Sequence, residues 1–368
     1  MIKTSFRPSK IVVDLKAITH NLKQFRNITG SSKISVAVKS NAYGHGIVIV
    51  AKHLEAIGVD MLLVSSAEEA LELRENDISI PILILSEVPR EAIEQCWQNN
   101  ITFTVYTEEF IDQITMIATS QKPALVHLKI NTGMNRVGCE PKDVLKLATL
   151  IKKKPNLILE GVFTHFATAE NPDPSGFNKQ NELFKVLIDK LKEIDIEPEI
   201  IHSCNSAATI KYLNAHHSMV RIGLGIYGIY PREDLADIVY LIPALSLISE
   251  ISFIKPAKED TEISYGWLHR FEKNTNVATI PIGYGDGVPR NLGINGGSVL
   301  ISGVRCPIVG AVTMDQIMVD IGELKAKVGD KVTLIGGEIK VDEWADICNT
   351  ISWEILCSFS ARLPRIYD

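Results

Sequence analysis

The sequence predicts an α/β protein, a (β/α)8 TIM-type barrel followed by a mainly β C-terminal domain. Three observations lead there. Between residues 34 and 225, eight short apolar runs alternate with longer segments of helical period, as in a parallel sheet covered by its crossover helices. After about residue 242 the texture changes to alternating, turn-punctuated segments. The chain has 368 residues, 46% of them hydrophobic, enough for a barrel of roughly 250 residues plus a smaller partner.

Residues 14–27 read as a helix ahead of the first barrel strand. The eight apolar runs are 34–39, 61–65, 82–85, 102–106, 125–130, 159–165, 199–203 and 219–225. Between them, Ser66-Ala67-Glu68-Glu69 has the form of a capping box, and Pro141-Lys142-Asp143 opens another helix with proline at a tolerated first-turn position. In the second part, residues 244–253, 276–282, 298–301 and 331–335 read as strands. Gly296-Gly297 and Gly336-Gly337 read as bends or hairpin turns, and residues 341–349 as a short helix. The domain boundaries are therefore 1–241 for the barrel, with a short N-terminal extension, and 242–368 for the β domain. No repeat of fixed period interrupts this plan.

Charge and composition exclude several classes of function. With 38 Lys+Arg against 44 Asp+Glu, the net charge is −6, which disfavours a protein that tracks nucleic-acid phosphates with a basic face. No apolar stretch approaches the roughly 18 residues of a membrane span, and the N-terminus lacks a signal-peptide profile. A cytoplasmic protein is expected. The six cysteines are scattered without Cys-x-x-Cys spacing and the nine histidines form no His-Glu-x-x-His pattern, so no metal is expected.

Barrel active sites lie where strands end and βα loops begin. At those ends stand Lys39, the loop from Asn131 to Arg136, His165, Ser206, and Arg221 with Gly223. Lys39 closes an apolar run, where burial would favour its neutral, nucleophilic amine. It reads either as a Schiff-base former, with a substrate carbonyl or with pyridoxal phosphate (PLP), or as a structural lysine paired with a carboxylate. Ser206, opening a helix, reads as part of an anion site or as a simple cap. Gly223 and Gly225 either let backbone approach a ligand or pack the rim.

The segment from Ala37 to Gly46, Ala-Val-Lys-Ser-Asn-Ala-Tyr-Gly-His-Gly, resembles the PLP-attachment signature of alanine racemases. The resemblance covers nearly the whole chain. It includes the stretch from Lys129 to Arg136, Thr164-His165-Phe166, Asn205-Ser206-Ala207 and Val220-Arg221-Ile222-Gly223. In the second domain it includes Ser264-Tyr265-Gly266, Gly283-Tyr284-Gly285-Asp286-Gly287 and Met314-Asp315-Gln316. It implies a PLP cofactor, interconversion of L- and D-alanine, and a head-to-tail homodimer in which one subunit's barrel and the other's β domain share each active site.

By this resemblance Lys39 carries PLP as an aldimine. Tyr43, Ser206 and the Gly223 and Leu224 amides hold the phosphate, and Arg221 contacts the pyridine nitrogen. Arg136 helps bind the phenolic oxygen and the substrate carboxylate, with the Met314 backbone assisting from the partner. Tyr284 and Asp315 belong to the substrate pocket, Asp315 as an ordering carboxylate. Lys39 serves one face of the planar intermediate and Tyr265 of the partner subunit the other, His165 bridging Tyr265 to Arg221. Singly, Tyr265 and Tyr284 also read as packed aromatics in turns, and His165 as a satisfied core histidine. Gly44 and Gly46 serve the tight turn after Lys39. In some relatives the residue matching Lys129 is carbamylated, and whether it is so here stays open.

Three competing readings are weaker. A decarboxylase on the same plan would place an acidic partner where Arg221 stands. A non-catalytic PLP-binding protein needs no second base such as Tyr265. A barrel aldolase using Lys39 needs no phosphate set around Ser206 and Gly223. A racemase of broader or serine specificity is a variant of the main reading: Thr313 replaces a common cysteine, and Ala361 stands where some family members carry a tyrosine. Apolar pockets reject one hydroxyl by only roughly 10 to 200-fold. Ala361→Tyr is therefore expected to raise the preference for alanine over serine, and unchanged relative turnover of the two amino acids would remove the idea.

Overall fold

The computed structural model describes residues 6–368; residues 1–5 of the stretch read for a leader lie outside it. The chain divides into two compact units. One comprises Ala17–Ala42 and Ile47–Ile242, the other the segment up to Lys16, Tyr43–Gly46 and Pro243–Asp368.

With strands numbered along the chain, β1 (Lys10–Val13) belongs to the second unit. The first unit is a closed barrel of eight strands in chain order. These are β2 (Lys33–Ala37), β3 (Met61–Val64), β4 (Ile82–Ile84), β5 (Thr102–Val105), β6 (Ala124–Lys129), β7 (Leu157–Phe163), β8 (Ile200–His202) and β9 (Met219–Ile222). Neighbours pair in parallel, and β2 pairs with β9 to close the ring. Strands such as β3, β5 and β9 are buried along their whole length, because the barrel interior covers one face and helices the other. That is why their sequences are near-continuous apolar runs.

Around the barrel lie α1 (Leu15–Thr29), α2 (Ile47–Ala56), α3 (Ala67–Glu75), α4 (Arg90–Gln98), α5 (Glu108–Ile117), α6 (Val144–Lys152), α7 (Ser175–Lys192) and α8 (Ser206–Lys211). Ser66 caps α3 by accepting the Glu69 N–H. The box is only half closed, however. The Glu69 carboxylate accepts from the Ser65 N–H, the Ser65 hydroxyl and the Ser40 N–H. Pro141–Asp143 forms a 3-10 turn that leads into α6. Strands β2, β7 and β9 stop at Ala37, Phe163 and Ile222, so Lys39, His165 and Gly223 stand just past the strand ends.

The second unit holds β10 (Leu245–Glu250), β11 (Phe253–Ala257), β12 (Glu262–Ile263), β13 (His269–Arg270), β14 (Thr275–Ile280), β15 (Ser298–Ile301), β16 (Val304–Pro307), β17 (Ile317–Asp320), β18 (Lys331–Ile335) and β19 (Arg365–Tyr367), with helices α9 (Val341–Cys348) and α10 (Ser352–Ser358). A six-stranded sheet runs β16-β15-β18-β10-β1-β19, beside a three-stranded sheet β11-β14-β17 and the pair β12-β13. Val277, Phe271, Ile263, Ala257 and Val309 form one of its cores, with Met318 packed against it.

Two segments of the expected first domain, residues 1–241 with its short N-terminal extension, belong with the β unit. β1 lies between β10, to which it is antiparallel, and β19, to which it is parallel. Ile11 and Val13 are fully buried there. Tyr43–Gly46 is the other segment. Arg365 Nε donates to the Gly44 carbonyl at 3.1 Å, and the Tyr367 hydroxyl donates to the His45 carbonyl at 3.1 Å. Gly44 and Gly46 have φ of 83° and 100°, and a Cβ on either would collide with the Leu356 carbonyl or the Tyr367 hydroxyl. They serve close backbone approach as well as the turn.

Among the described residues, no helix is long and apolar enough to cross a membrane, and no group of His, Cys, Asp and Glu is arranged to hold a metal ion. Gly44→Ala is expected to destabilise the protein by at least about 1 kcal/mol, since both the backbone conformation and the Leu356 contact oppose a side chain. A thermal unfolding midpoint equal to that of the wild type would contradict this.

Candidate active site

The barrel mouth begins with an unusual turn. After the half-buried Lys39, the residues Ser40, Asn41, Ala42 and Tyr43 have φ between 52° and 54°, a left-handed run without glycine. Such a conformation costs L-residues roughly 1–2 kcal/mol each, so surrounding contacts must hold it. Three bonds do so in the barrel unit: Ser40 N–H to Glu69 Oε1 at 2.5 Å, Ala42 N–H to the Val38 carbonyl at 2.7 Å, and Ile47 N–H to Asn41 Oδ1 at 2.8 Å. Sequence reasoning read a tight turn after Lys39 and Glu69 as part of a capping box, but not the left-handed run or the Glu69 bond that holds it, because nothing in Ser-Asn-Ala-Tyr demands positive φ.

Arg221, on β9, is buried. Its Nη1 donates to His202 Nδ1 at 3.0 Å. Its Nη2 donates to the Thr164 carbonyl at 2.7 Å, the Ser203 carbonyl at 2.8 Å and His165 Nδ1 at 3.3 Å. The guanidinium also lies over the Phe163 ring, 5.4 Å from its centroid. Burial lowers its pKa to about 10, so it stays charged at neutral pH. Burial, and then the charges of Arg221, Arg136, Lys129 and Lys39, hold His165 well below the usual imidazole range. His165 is therefore neutral, an acceptor at Nδ1 and a donor at Nε2.

Lys129 ends β6, buried beside the same charges. Its Nζ donates to the Leu85 carbonyl at 3.2 Å and sits 5.3 Å from the Phe163 ring centre. Burial, reinforced by Arg221, Arg136 and Lys39, lowers its pKa to about 7. Arg136 is exposed on the loop after β6. That loop is braced by Asn131 Oδ1, which accepts from the Gly133 and Asn135 amides.

Ser206 is the first residue of α8. The cap is Asn205, whose Oδ1 accepts from the Ala208 N–H at 3.0 Å, so Ser206 is free of the capping role. Its Oγ accepts from the Gly223 N–H at 3.0 Å and the Gly225 N–H at 3.3 Å, which leaves the hydroxyl hydrogen for an outside acceptor. Gly225 packs so closely that a Cβ would lie 2.5 Å from the Phe25 ring. The 3-10 turn Leu224–Tyr227 starts at this point with no side-chain cap. Lys39, Arg221, His165, Ser206 and Gly223 all stand at the strand-end side of one barrel.

The β unit carries the other expected residues. Tyr265 follows Ser264, whose φ is 65°, and is 72% exposed, so it is not a packed core aromatic. Tyr284 and Met314 sit on two loops joined by Tyr284 N–H to the Thr313 carbonyl at 3.0 Å and Gly285 N–H to the Met314 carbonyl at 2.9 Å. A side chain at Gly283 would strike the Met314 loop, which explains that glycine. Asp315 accepts from Arg362 Nη2 at 2.6 Å, and Arg362 Nε lies 3.4 Å from the buried Asp286. Asp286 also takes a bidentate pair of bonds from Arg7, at 2.5 and 2.8 Å. Arg7 and Arg362 thus tie both loops into the β unit. Tyr43 belongs to this unit through the chain segment described above.

Comparison with known proteins covers the whole chain. Residues 13–231 match the family model of the alanine racemase N-terminal domain, and residues 244–367 that of the C-terminal domain. Alanine racemase 2 of Oceanobacillus iheyensis is 39% identical over 374 residues, covering 100% of this chain and 95% of the relative. Alanine racemase of Methanococcus maripaludis is 40% identical over 364 residues, covering 96% and 97%. Among solved structures, alanine racemase of Clostridium difficile 630 superimposes with a TM-score of 0.95 at 39% identity, covering 99% of this chain and 97% of that one. The Bacillus anthracis enzyme with bound L-Ala-P does so with 0.93 at 36%, covering 100% and 96%. With both family domains matched in order and relatives aligned end to end, the chain belongs to the alanine racemase family.

Proposed function

We propose that this chain interconverts L- and D-alanine with PLP held at the barrel mouth by Lys39. The observation that carries the reading is the donor set around Arg221 and Ser206 in a chain matched over its length by alanine racemases. The residues present fit the cofactor. A primary amine at Lys39 suits its aldehyde. The Ser206 hydroxyl hydrogen, with the Leu224 backbone and Tyr43, suits its phosphate, while the Gly223 N–H, expected there by resemblance, donates to Ser206 Oγ instead. Arg221 has bonds through Nη1 and Nη2 that leave Nε–H, and this suits an unprotonated ring nitrogen. Arg136 suits the phenolic oxygen and the substrate carboxylate, with Met314, Tyr284 and Asp315 of a second copy bounding the substrate pocket.

When bound, PLP supplies an electron sink that acidifies the α-hydrogen of an attached amino acid. The protein's own residues then handle the proton. Lys39 Nζ takes or returns it on one face of the α-carbon. The Tyr265 hydroxyl of a second copy does so on the other, with neutral His165 passing the influence of Arg221 to that hydroxyl. The cations at the mouth lower the cost of a tyrosinate. Support for a homodimer comes from the β unit, where Tyr265, Trp267, Leu268 and Met314 are 72, 69, 57 and 53% exposed. Large apolar side chains left exposed to this degree fit an interaction site. We place the activity in the cytoplasm, as read from the sequence.

The direct experiment is polarimetry of L-alanine with the purified, PLP-loaded protein. Optical rotation is expected to decay to zero, Lys39→Ala to lose both the cofactor absorbance and the decay, and Tyr265→Phe to keep the absorbance while losing exchange on one face. Retained racemisation in Lys39→Ala would contradict the assignment.

We also propose that Lys129 is carbamylated. Its amine, buried among cations and lowered to about 7, is substantially neutral at physiological pH and hence nucleophilic. Nitrogen attacks the carbon of CO2, an N–H proton leaves to solvent, and the carbamate anion offsets the surrounding positive charge. Protein equilibrated with carbon-13 bicarbonate is expected to show a carbamate resonance that Lys129→Ala lacks. A spectrum without that resonance would contradict the proposal.

A further inference from the structure

Behind Arg221 a row of hydrogen bonds continues through the barrel. His202 Nε2 lies 2.9 Å from His127 Nδ1, and His127 Nε2 lies 3.0 Å from Glu160 Oε2. Both rings are fully buried, whereas the Glu160 side chain keeps 21% of its exposure. The strands are shaped around the row. The register of β6 against β7 shifts between Val126 and His127, and a Cβ at Gly161, opposite His127, would lie 2.6 Å from its imidazole. Phe163 stacks on His202 with centroids 4.6 Å apart and planes 12° apart. A bulge, a glycine and a stacked ring thus fix the two histidines inside the barrel.

The proton order along the row follows from one chemical fact. A guanidinium only donates, so His202 Nδ1 must accept, and a neutral His202 carries its hydrogen on Nε2. That hydrogen points at His127 Nδ1, which must therefore be bare. His127 then carries its hydrogen on Nε2 and donates it to the Glu160 carboxylate, which only accepts. Burial holds both imidazoles below their ordinary pKa, in keeping with neutral rings. A reversed order would aim an N–H of His202 at an N–H of Arg221.

We propose that Glu160, His127 and His202 are positioning residues for Arg221: the carboxylate anchors a one-way donor row, Arg221 to His202 to His127 to Glu160, that commits Nη1 and leaves Nε–H for the ligand at the barrel mouth. The functional half of this statement rests on the proposed reading of Arg221 as the residue facing the PLP ring nitrogen. The proton order does not.

Neutron diffraction from deuterium-exchanged crystals of the holoenzyme reads that order directly. Deuterium is expected on Nε2 of His127 and of His202 and on neither Nδ1; deuterium on either Nδ1 would overturn the row. In Glu160→Leu the order, which Arg221 sets, is expected to persist while the row loses its terminal acceptor, so that kcat falls and KM for alanine holds. Glu160→Gln, which keeps an oxygen acceptor at that position, is expected to restore kcat. A wild-type kcat in Glu160→Leu would overturn the role of Glu160, and if that variant fails to fold, a kcat lowered in Glu160→Gln would do the same. A protein that never acquires PLP absorbance defeats the reading of the mouth instead, and the neutron map distinguishes that failure from failure of the row.

Discussion

A charged guanidinium buried at the mouth of a barrel, met by carbonyls and imidazoles rather than directly by a carboxylate, is the constraint on which this site depends. Arg221 loses its hydration on folding, and removal of a buried charge from its partners is costly unless each donor is matched. The structure meets Nη1 and Nη2 with two carbonyls, from Thr164 and Ser203, and two ring nitrogens, of His165 and His202, and leaves Nε–H to the barrel mouth. The direct contacts thus leave the positive charge unneutralised. It keeps His165 neutral and adds to the burial that lowers Lys129. It also makes the mouth attractive to anions such as a phosphate or an amino-acid carboxylate.

A second cost is placed at the same mouth. Four left-handed residues follow Lys39 without a glycine among them, a conformation that persists only where contacts over-determine it. The Glu69 carboxylate on α3 supplies one such contact at Ser40, having been diverted from the reciprocal bond expected of its capping box. The residue that seemed to belong to helix initiation therefore holds the turn after the proposed cofactor lysine. Its sequence signature was read correctly as a helix start and incompletely as chemistry.

The eight barrel strands were legible because parallel strands buried on both faces must be apolar runs, and each of the eight runs contains or overlaps an observed strand. β1 and β19 were not legible. They are short, and the pairing of β1 with β10 and with β19 joins residues more than two hundred positions apart, which no local pattern encodes. Helix α10 and strands β16 and β17 were missed for a related reason, since brief segments between turns carry little periodicity. Lys39, His165, Ser206 and Arg221 could be placed at the barrel mouth because residues at strand ends can be read in order. His127 and His202 were overlooked inside apolar runs, yet Gly161 in the middle of β7 was a usable signal. A lone glycine in a strand marks a close approach, and here it makes room for the His127 ring.

In the proposed function Arg221 is a cation that faces the cofactor ring nitrogen and opposes its protonation. The measurement that tests this most directly is the nitrogen-15 chemical shift of ring-labelled PLP in the holoenzyme at neutral pH. A shift characteristic of a bare pyridine nitrogen accepting a hydrogen bond is the predicted result. A shift characteristic of a protonated pyridinium would contradict the account.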